Sequence, residues 1–166
     1  MLFRSPSNKP QVVANLVRAA EAQNRQGLVW TVFDEESDII MEHLADMPGV
    51  TYLTGSTPED QQEVLLDYFC AGKCRQLVSK AQLLGYGLNF QFCTAMIFSG
   101  FDDSFERFYQ AIRRCYRYGS KEQLKVYVPY IPSLENHVWE NVLRKKTQWE
   151  TDTATQEQHY REALKI

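Results

Sequence analysis

The stretch RQLVSKAQLLGYGLNFQFCTAMIF, residues 75–98, decides the fold. RQLVS at 75–79 and TAMIF at 94–98 are apolar at consecutive positions and too short for helices, the pattern of strands covered on both faces. KAQLLGYGLNF between them carries Gly85 and Gly87, which mark a loop whose backbone can approach another group closely. Outward from this stretch the strand pattern returns at LVWTVF (28–33), VTYL (50–53) and LKVYVPYI (124–131). Helical spacing fills the gaps. Val12, Val13, Leu16, Val17 and Ala20 follow Pro10, with Gly27 as the expected stop; Ile39, Ile40, His43 and Leu44 precede Pro48 and Gly49. Thr57 is the expected N-cap of a third helix, with Pro58 in its first position and Asp60 three residues on, running to about Cys70. Five strands alternating with helices predict an α/β fold with a mostly parallel, five- or six-stranded sheet and helices on both faces. This unit occupies residues 1–133. Residues 134–166 carry one helical stripe, Leu134, Val138, Val142 and Trp149, and then a polar, weakly patterned end, which predicts a helical extension with a loosely held tail.

At 166 residues, 44% hydrophobic and 23% charged, the chain is one globular domain able to bury a core without staples. A net charge of -3 and a pI near 5.6 exclude global attraction to nucleic acid, so any such contact must be local. Cys70, Cys74, Cys93 and Cys115 form no C-x-x-C pair and lie far in sequence from His43, His137 and His159; reduced thiols and no metal site are expected. MLFRSPSNKP lacks the apolar centre of a signal peptide and no apolar run approaches a membrane span, so a cytoplasmic setting without membrane contact is the expectation. Arg144, Lys145 and Lys146 read as a solvated face.

One segment departs from the acidic average. FERFYQAIRRCYRYGS, residues 105–120, holds four arginines and five aromatic residues. On a helix at about 100° per residue, Phe105, Phe108, Tyr109, Ile112, Cys115 and Tyr116 fall on one face. Gln110, Arg114 and Arg117 fall opposite, with Arg107 and Arg113 at the margins and Gly119 as the stop. Guanidinium groups at i and i+3 repel one another unless water, carboxylates or phosphates face them, which points to a polyanion.

QAIRRCYRYG within that segment resembles the last motif of superfamily 2 helicases, Q-x-x-G-R-x-x-R-x-G, especially in Swi/Snf-like translocases and phage-encoded relatives. Upstream, YLTGSTPEDQQEVLLDYFCAGKCRQLVSK resembles the strand, turn, helix and strand of the second RecA-like lobe. LVSKAQLLGYGLNFQFCTAMIFSG resembles its next motif, in which a small hydroxyl residue ends a strand and a G-x-G-L/I-N loop follows. The resemblance spans residues 10–131. Arg113 stands where many members have glycine, Lys80 where threonine is common, and Ser120 replaces a frequent glutamine.

The resemblance implies the C-terminal lobe of a two-lobed, ATP-dependent DNA helicase or translocase. Arg114 and Arg117 would meet the γ-phosphate of ATP, and Gln110 would orient within the same cleft. Gly85, Gly87 and Asn89, with Ser79 and Lys80, would connect that cleft to DNA; Thr54, Gly55 and Ser56 would contact DNA phosphate without reading sequence. ATP with Mg2+ would be held mainly by an N-terminal lobe, because the phosphate loop and the Asp-Glu strand are not found in the chain as required. Two segments imitate them. AGKC at 71–74 lacks the earlier glycine and the final hydroxyl, and reads as a helix-to-strand turn; LVWTVFDEES at 28–37 places Asp34 and Glu35 after a strand, where they start a helix. The alternatives are a stand-alone module that binds nucleic acid or a partner ATPase without turnover, and a small-molecule enzyme using the cleft at the strand ends.

Overall fold

The computed structural model of the protein describes residues 8–84, 88–100, 104–117 and 122–163, and beyond residue 152 only Thr155 with its side chain. In chain order the elements are α1 (Lys9–Ala22), β1 (Gly27–Thr31), α2 (Asp34–His43), β2 (Val50–Leu53), α3 (Glu59–Cys70), β3 (Gln76–Lys80), β4 (Ala95–Phe98), α4 (Phe105–Arg113), β5 (Lys125–Tyr127) and α5 (Pro132–Ala163). The strands form one sheet in the order β2-β3-β1-β4-β5, and every pairing is parallel.

All five residues of β1, the central strand, are buried. Successive side chains leave opposite faces of a strand, so the apolar runs feed two cores. Leu28, Trp30, Leu77, Met96 and Phe98 pack with Phe69 of α3 and Ala111 of α4 on one face. Val29, Val78 and Ile97 pack with Val13, Ala14 and Val17 of α1 and Ile40 of α2 on the other. Helices therefore cover both faces, as the uninterrupted apolar strands require.

Local punctuation differs from expectation at several points. Helix α1 ends at Ala22, before Gly27, and Asn24 takes up the left-handed conformation that stops it (φ 59°). Gly27 instead opens β1, where a Cβ would lie 2.4 Å from Oε1 of Gln76. That buried side chain crosses the glycine and donates from Nε2 to Glu21 and to the Arg25 carbonyl, at 2.9 and 2.8 Å. Helix α3 starts one residue later than expected, with Pro58 at the cap position, while the Thr57 hydroxyl accepts from the Thr54 N–H at 3.1 Å. The AGKC segment is the turn it was read as: Gly72 has φ 70° and the Lys73 N–H donates to the Tyr68 carbonyl at 2.9 Å.

The C-terminal extension is one continuous helix to Ala163, including the polar end expected to be loosely held. Its start is fixed by Glu135, which accepts from the Ile131 N–H at 2.7 Å and pairs with Lys9 of α1 at 2.5 Å. Trp139 meets Phe108 edge-on at 6.4 Å and Trp149 lies 4.9 Å from Tyr109, joining α5 to α4. Val142 is buried as its stripe predicts, whereas Leu134 is 62% exposed. Thr147, Thr151 and Thr155 each donate to the carbonyl four residues earlier, which satisfies their hydroxyls within the helix.

Candidate functional site

Parallel strands point their carboxyl ends the same way, and connections leaving those ends can gather polar side chains at one edge. The edge here includes a cleft, partly open to solvent, at the ends of β1, β3 and β4. Trp30 and Thr31, Lys80 and Ala81, and Phe98 line it, with Arg107 of α4 on its rim. The cleft lies where the chain reverses its order of strands: β2 and β3 lie on one side of β1, β4 and β5 on the other.

Arg114 is positioned by the end of α4. The helix runs only to Arg113, shorter than the predicted span, because the Arg114 and Cys115 N–H groups turn to the carbonyls of Ala111 and Ile112, three residues back. The Tyr116 N–H still donates to the Ile112 carbonyl, four residues back, at 2.9 Å. Ala111 and Cys115 are buried, but Tyr116 is 66% exposed, against its expected place on the apolar face. Arg114 is half-buried: Nη2 donates to the Ala81 carbonyl at 3.4 Å, and the guanidinium lies 5.6 Å from the centre of the Trp30 ring. The expectation that Arg114 stands apart from the core is corrected by this packing. Gln110, one turn earlier on the same face, and Arg117 are exposed. Arg113 turns back to Tyr109, donating to its hydroxyl at 3.1 Å.

The expected nucleic-acid residues occupy the same edge of the sheet. Thr54, Gly55 and Ser56 follow β2, with the Thr54 hydroxyl 2.8 Å from that of Ser56 and 3.1 Å from that of Thr57. A Cβ on Gly55 would stand 3.6 Å from Leu83, so this turn adjoins the connection after β3. Ser79 is buried and donates to the Leu53 carbonyl at 2.9 Å, a bond that ties β3 to β2. Lys80 Nζ lies 2.7 Å from the carboxylate of Asp34. Asn89 is exposed and its side chain accepts from the Gln91 N–H at 3.1 Å, closing a local turn. Gly85, Gly87, Gly119 and Ser120 lie outside the described residues.

The start of α2 contributes what the sequence reading set aside. Asp34, Glu35 and Glu36 occupy its first turn, where negative charge is stabilised by the helix dipole. Glu36 accepts from the Ser99 hydroxyl at 2.6 Å and the buried Ser37 donates to Thr31 at 2.7 Å, so this turn is stitched to β4 and β1. Trp30 was missed as a site residue because an aromatic side chain in an apolar strand is indistinguishable from core. The contact that distinguishes it among the described residues, Arg114, lies far along the chain.

Cys74, Cys93 and Cys115 are buried and Cys70 is exposed, all as free thiols; burial pushes the Cys93 thiol well above its ordinary range. Among the described residues no three His, Cys, Asp or Glu side chains converge where a metal ion could be held. No helix among them is long and apolar enough to cross a membrane.

An all-parallel sheet covered on both faces, with an arginine carried from the end of α4 to its carboxyl edge, defines a RecA-like α/β lobe. The family model described as helicase conserved C-terminal domain matches residues 8–119, more than half of the chain, and the chain belongs to that family. Among solved structures it is similar to the C-terminal part of the Fun30 ATPase domain, with a TM-score of 0.70 over 86% of this chain at 19% identity. That likeness shows the fold alone, and the chain spans 48% of the matched structure. No curated protein matches the chain. The fold does not by itself select a substrate.

Proposed function

We propose that the chain is the C-terminal motor lobe of an ATP-dependent DNA translocase or helicase of the Swi/Snf-like kind. It works opposite an N-terminal lobe that binds most of the nucleotide. The observation that carries this reading is Arg114, packed over Trp30 and bonded to Ala81 in the connection that follows Lys80. One side chain thus joins the proposed nucleotide side of the lobe to its proposed DNA side.

The donor set fits a triphosphate: two guanidinium groups and the Gln110 amide offer several N–H donors and no competing acceptor beyond one amide oxygen. Arg114 is held by its packing, so less freedom is lost when it meets charge, as a preorganised catalytic electrostatic group requires. Arg117, more exposed, would complete the pair across the cleft. ATP with Mg2+ supplies the transferable phosphoryl group, and this lobe supplies positive charge as negative charge spreads onto the phosphoryl oxygens. The Thr54–Ser56 turn and Lys80 would touch DNA phosphate without reading bases.

The test is to measure phosphate release by this chain alone, by the N-terminal lobe alone and by the mixture, with and without DNA. The chain alone should show none above background. The mixture should hydrolyse ATP in a DNA-dependent manner, and Arg117→Ala should lower kcat by about a thousandfold or more while changing KM little. DNA binding with no hydrolysis in the mixture would leave a binding module in place of a motor lobe.

A further inference from the structure

Lys80 ends β3 and stands opposite Thr31 in the register of β1, so its ammonium group reaches the edge where the cleft opens. It meets the carboxylate of Asp34, the first residue of α2, at 2.7 Å. The two partners are held unequally: the lysine side chain is 25% exposed and the aspartate 60%. The cation is thus anchored in the wall of the lobe while the anion stands in water in front of it.

A backbone phosphate approaching Lys80 has the same charge and the same kind of oxygen acceptor as the carboxylate already there. The N–H donor already directed at Asp34 cannot serve a phosphate at the same time, and the carboxylate charge repels a phosphate that approaches on that side. An ion pair this exposed is weak, so a polyanion that releases counterions on binding can displace it. The neighbouring carboxylates differ in position. Glu36 is bonded to Ser99, and Glu35 is exposed.

We propose that Asp34 is an internal competitor for the DNA phosphate that Lys80 would contact, so that the Asp34–Lys80 pair must open for the lobe to engage a DNA backbone. The proposal rests on the reading of Lys80 as a phosphate contact. It gives the acidic start of α2 a role distinct from magnesium binding: Asp34 raises the DNA concentration at which the lobe engages and lowers the salt sensitivity of that engagement.

The experiment measures binding of the full chain to an end-labelled DNA duplex by fluorescence anisotropy over a range of salt. The proteins are the parent, Asp34→Asn, Glu35→Gln, Lys80→Gln and the Asp34→Asn/Lys80→Gln double variant, each checked for folding by thermal melting. Asp34→Asn should tighten binding about two- to fivefold at low salt, the range corresponding to loss of an exposed ion pair. It should also steepen the logarithmic salt dependence by up to about 0.9, the increment for one further phosphate neutralised on duplex DNA. Glu35→Gln removes the same charge one residue away and should have the smaller effect. The gain should vanish in the double variant. If Glu35→Gln matches Asp34→Asn, general charge explains the effect and the proposal is overturned. If Lys80→Gln weakens binding but Asp34→Asn leaves it unchanged, the DNA-contact reading survives and the proposal fails. If Lys80→Gln binds like the parent, or no protein binds at any salt, Lys80 is not a phosphate contact and both fall together.

Discussion

Replacing Arg114 by alanine should have two separable consequences, of which the first follows from geometry alone. The guanidinium lies 5.6 Å from the ring centre of Trp30, a side chain 1% exposed. A cation over a buried indole contributes about 0.5–2 kcal/mol. The bond to the Ala81 carbonyl, at 3.4 Å, is long, so it counts for less than the usual charged donor, about 1 kcal/mol. Together they predict a loss of about 2 kcal/mol and, for a domain of this size, a fall in Tm of about 4–8 °C. Arg117→Ala, at an exposed position, should stay within about 0.5 kcal/mol of the parent. Urea unfolding of both variants gives the comparison, and a double-mutant cycle with Trp30→Phe isolates the ring contact. Equal stability of the two alanine variants would refute the packing argument. The second consequence is catalytic: in the two-lobe mixture both variants should lose turnover about a thousandfold, and Arg→Lys should restore little, because an ammonium group lacks the planar fork. An Arg114→Ala lobe that is destabilised but turns over normally would make this arginine a structural brace.

Other outcomes follow from contacts elsewhere. Glu135→Ala leaves Lys9, whose side chain is 8% exposed, without its carboxylate and removes the acceptor of the Ile131 N–H; a loss of about 2–3 kcal/mol is expected in urea unfolding. Phe108→Ala removes a ring 4.5 Å from that of Phe98 and should cost about 3 kcal/mol, read by thermal melting, without changing the KM for ATP of the folded fraction in the two-lobe mixture. Burial and the bond to Asp38 raise the Tyr52 hydroxyl from 10.0 to about 12. The unfolded chain therefore ionises this tyrosine first, and the associated stability is intact below pH 10 and lost as pH rises towards 12. Tyr52→Phe should flatten that part of the stability profile, measured by urea midpoints against pH.

The sheet was legible because burial on both faces leaves a one-dimensional mark: a strand apolar at consecutive positions, such as LVWT at 28–31, needs no knowledge of its neighbours. Strand order was not, since nothing within 76–80 records that this strand inserts between β1 and β2. Glycines misled where their function was close approach and not punctuation. Gly27 looked like a helix stop, yet its reason is the Gln76 side chain, 49 positions further along the chain. The face assignment of the arginine segment held as far as the buried Cys115, and Tyr116 departed from it just beyond the end of α4. Arg114, Lys80 and the Thr54–Ser56 turn could be singled out as candidates because each lies in a short motif that resembles the family's. Their partners, Trp30, Ala81 and Asp34, could not, because each is supplied by a different connection and an ion pair such as Asp34–Lys80 leaves no periodic trace.

The connection from β3 to β4 passes from one side of β1 to the other, and its described residues include no helix. It is secured by burial of Leu84, Phe90 and Cys93 and by two links to one residue: the Arg114 side chain bonds the Ala81 carbonyl, and the Arg114 carbonyl accepts from the Phe90 N–H at 2.9 Å. One residue thus grips the segment at two places, one on each side of residues 85–87. In the language of hydrogen exchange, the Phe90 amide becomes exchange-competent only when the connection and the end of α4 part, so its protection reports on the contact between them. The two bonds place the backbone and the guanidinium of Arg114 in direct contact with the connection, with no intervening residue between them.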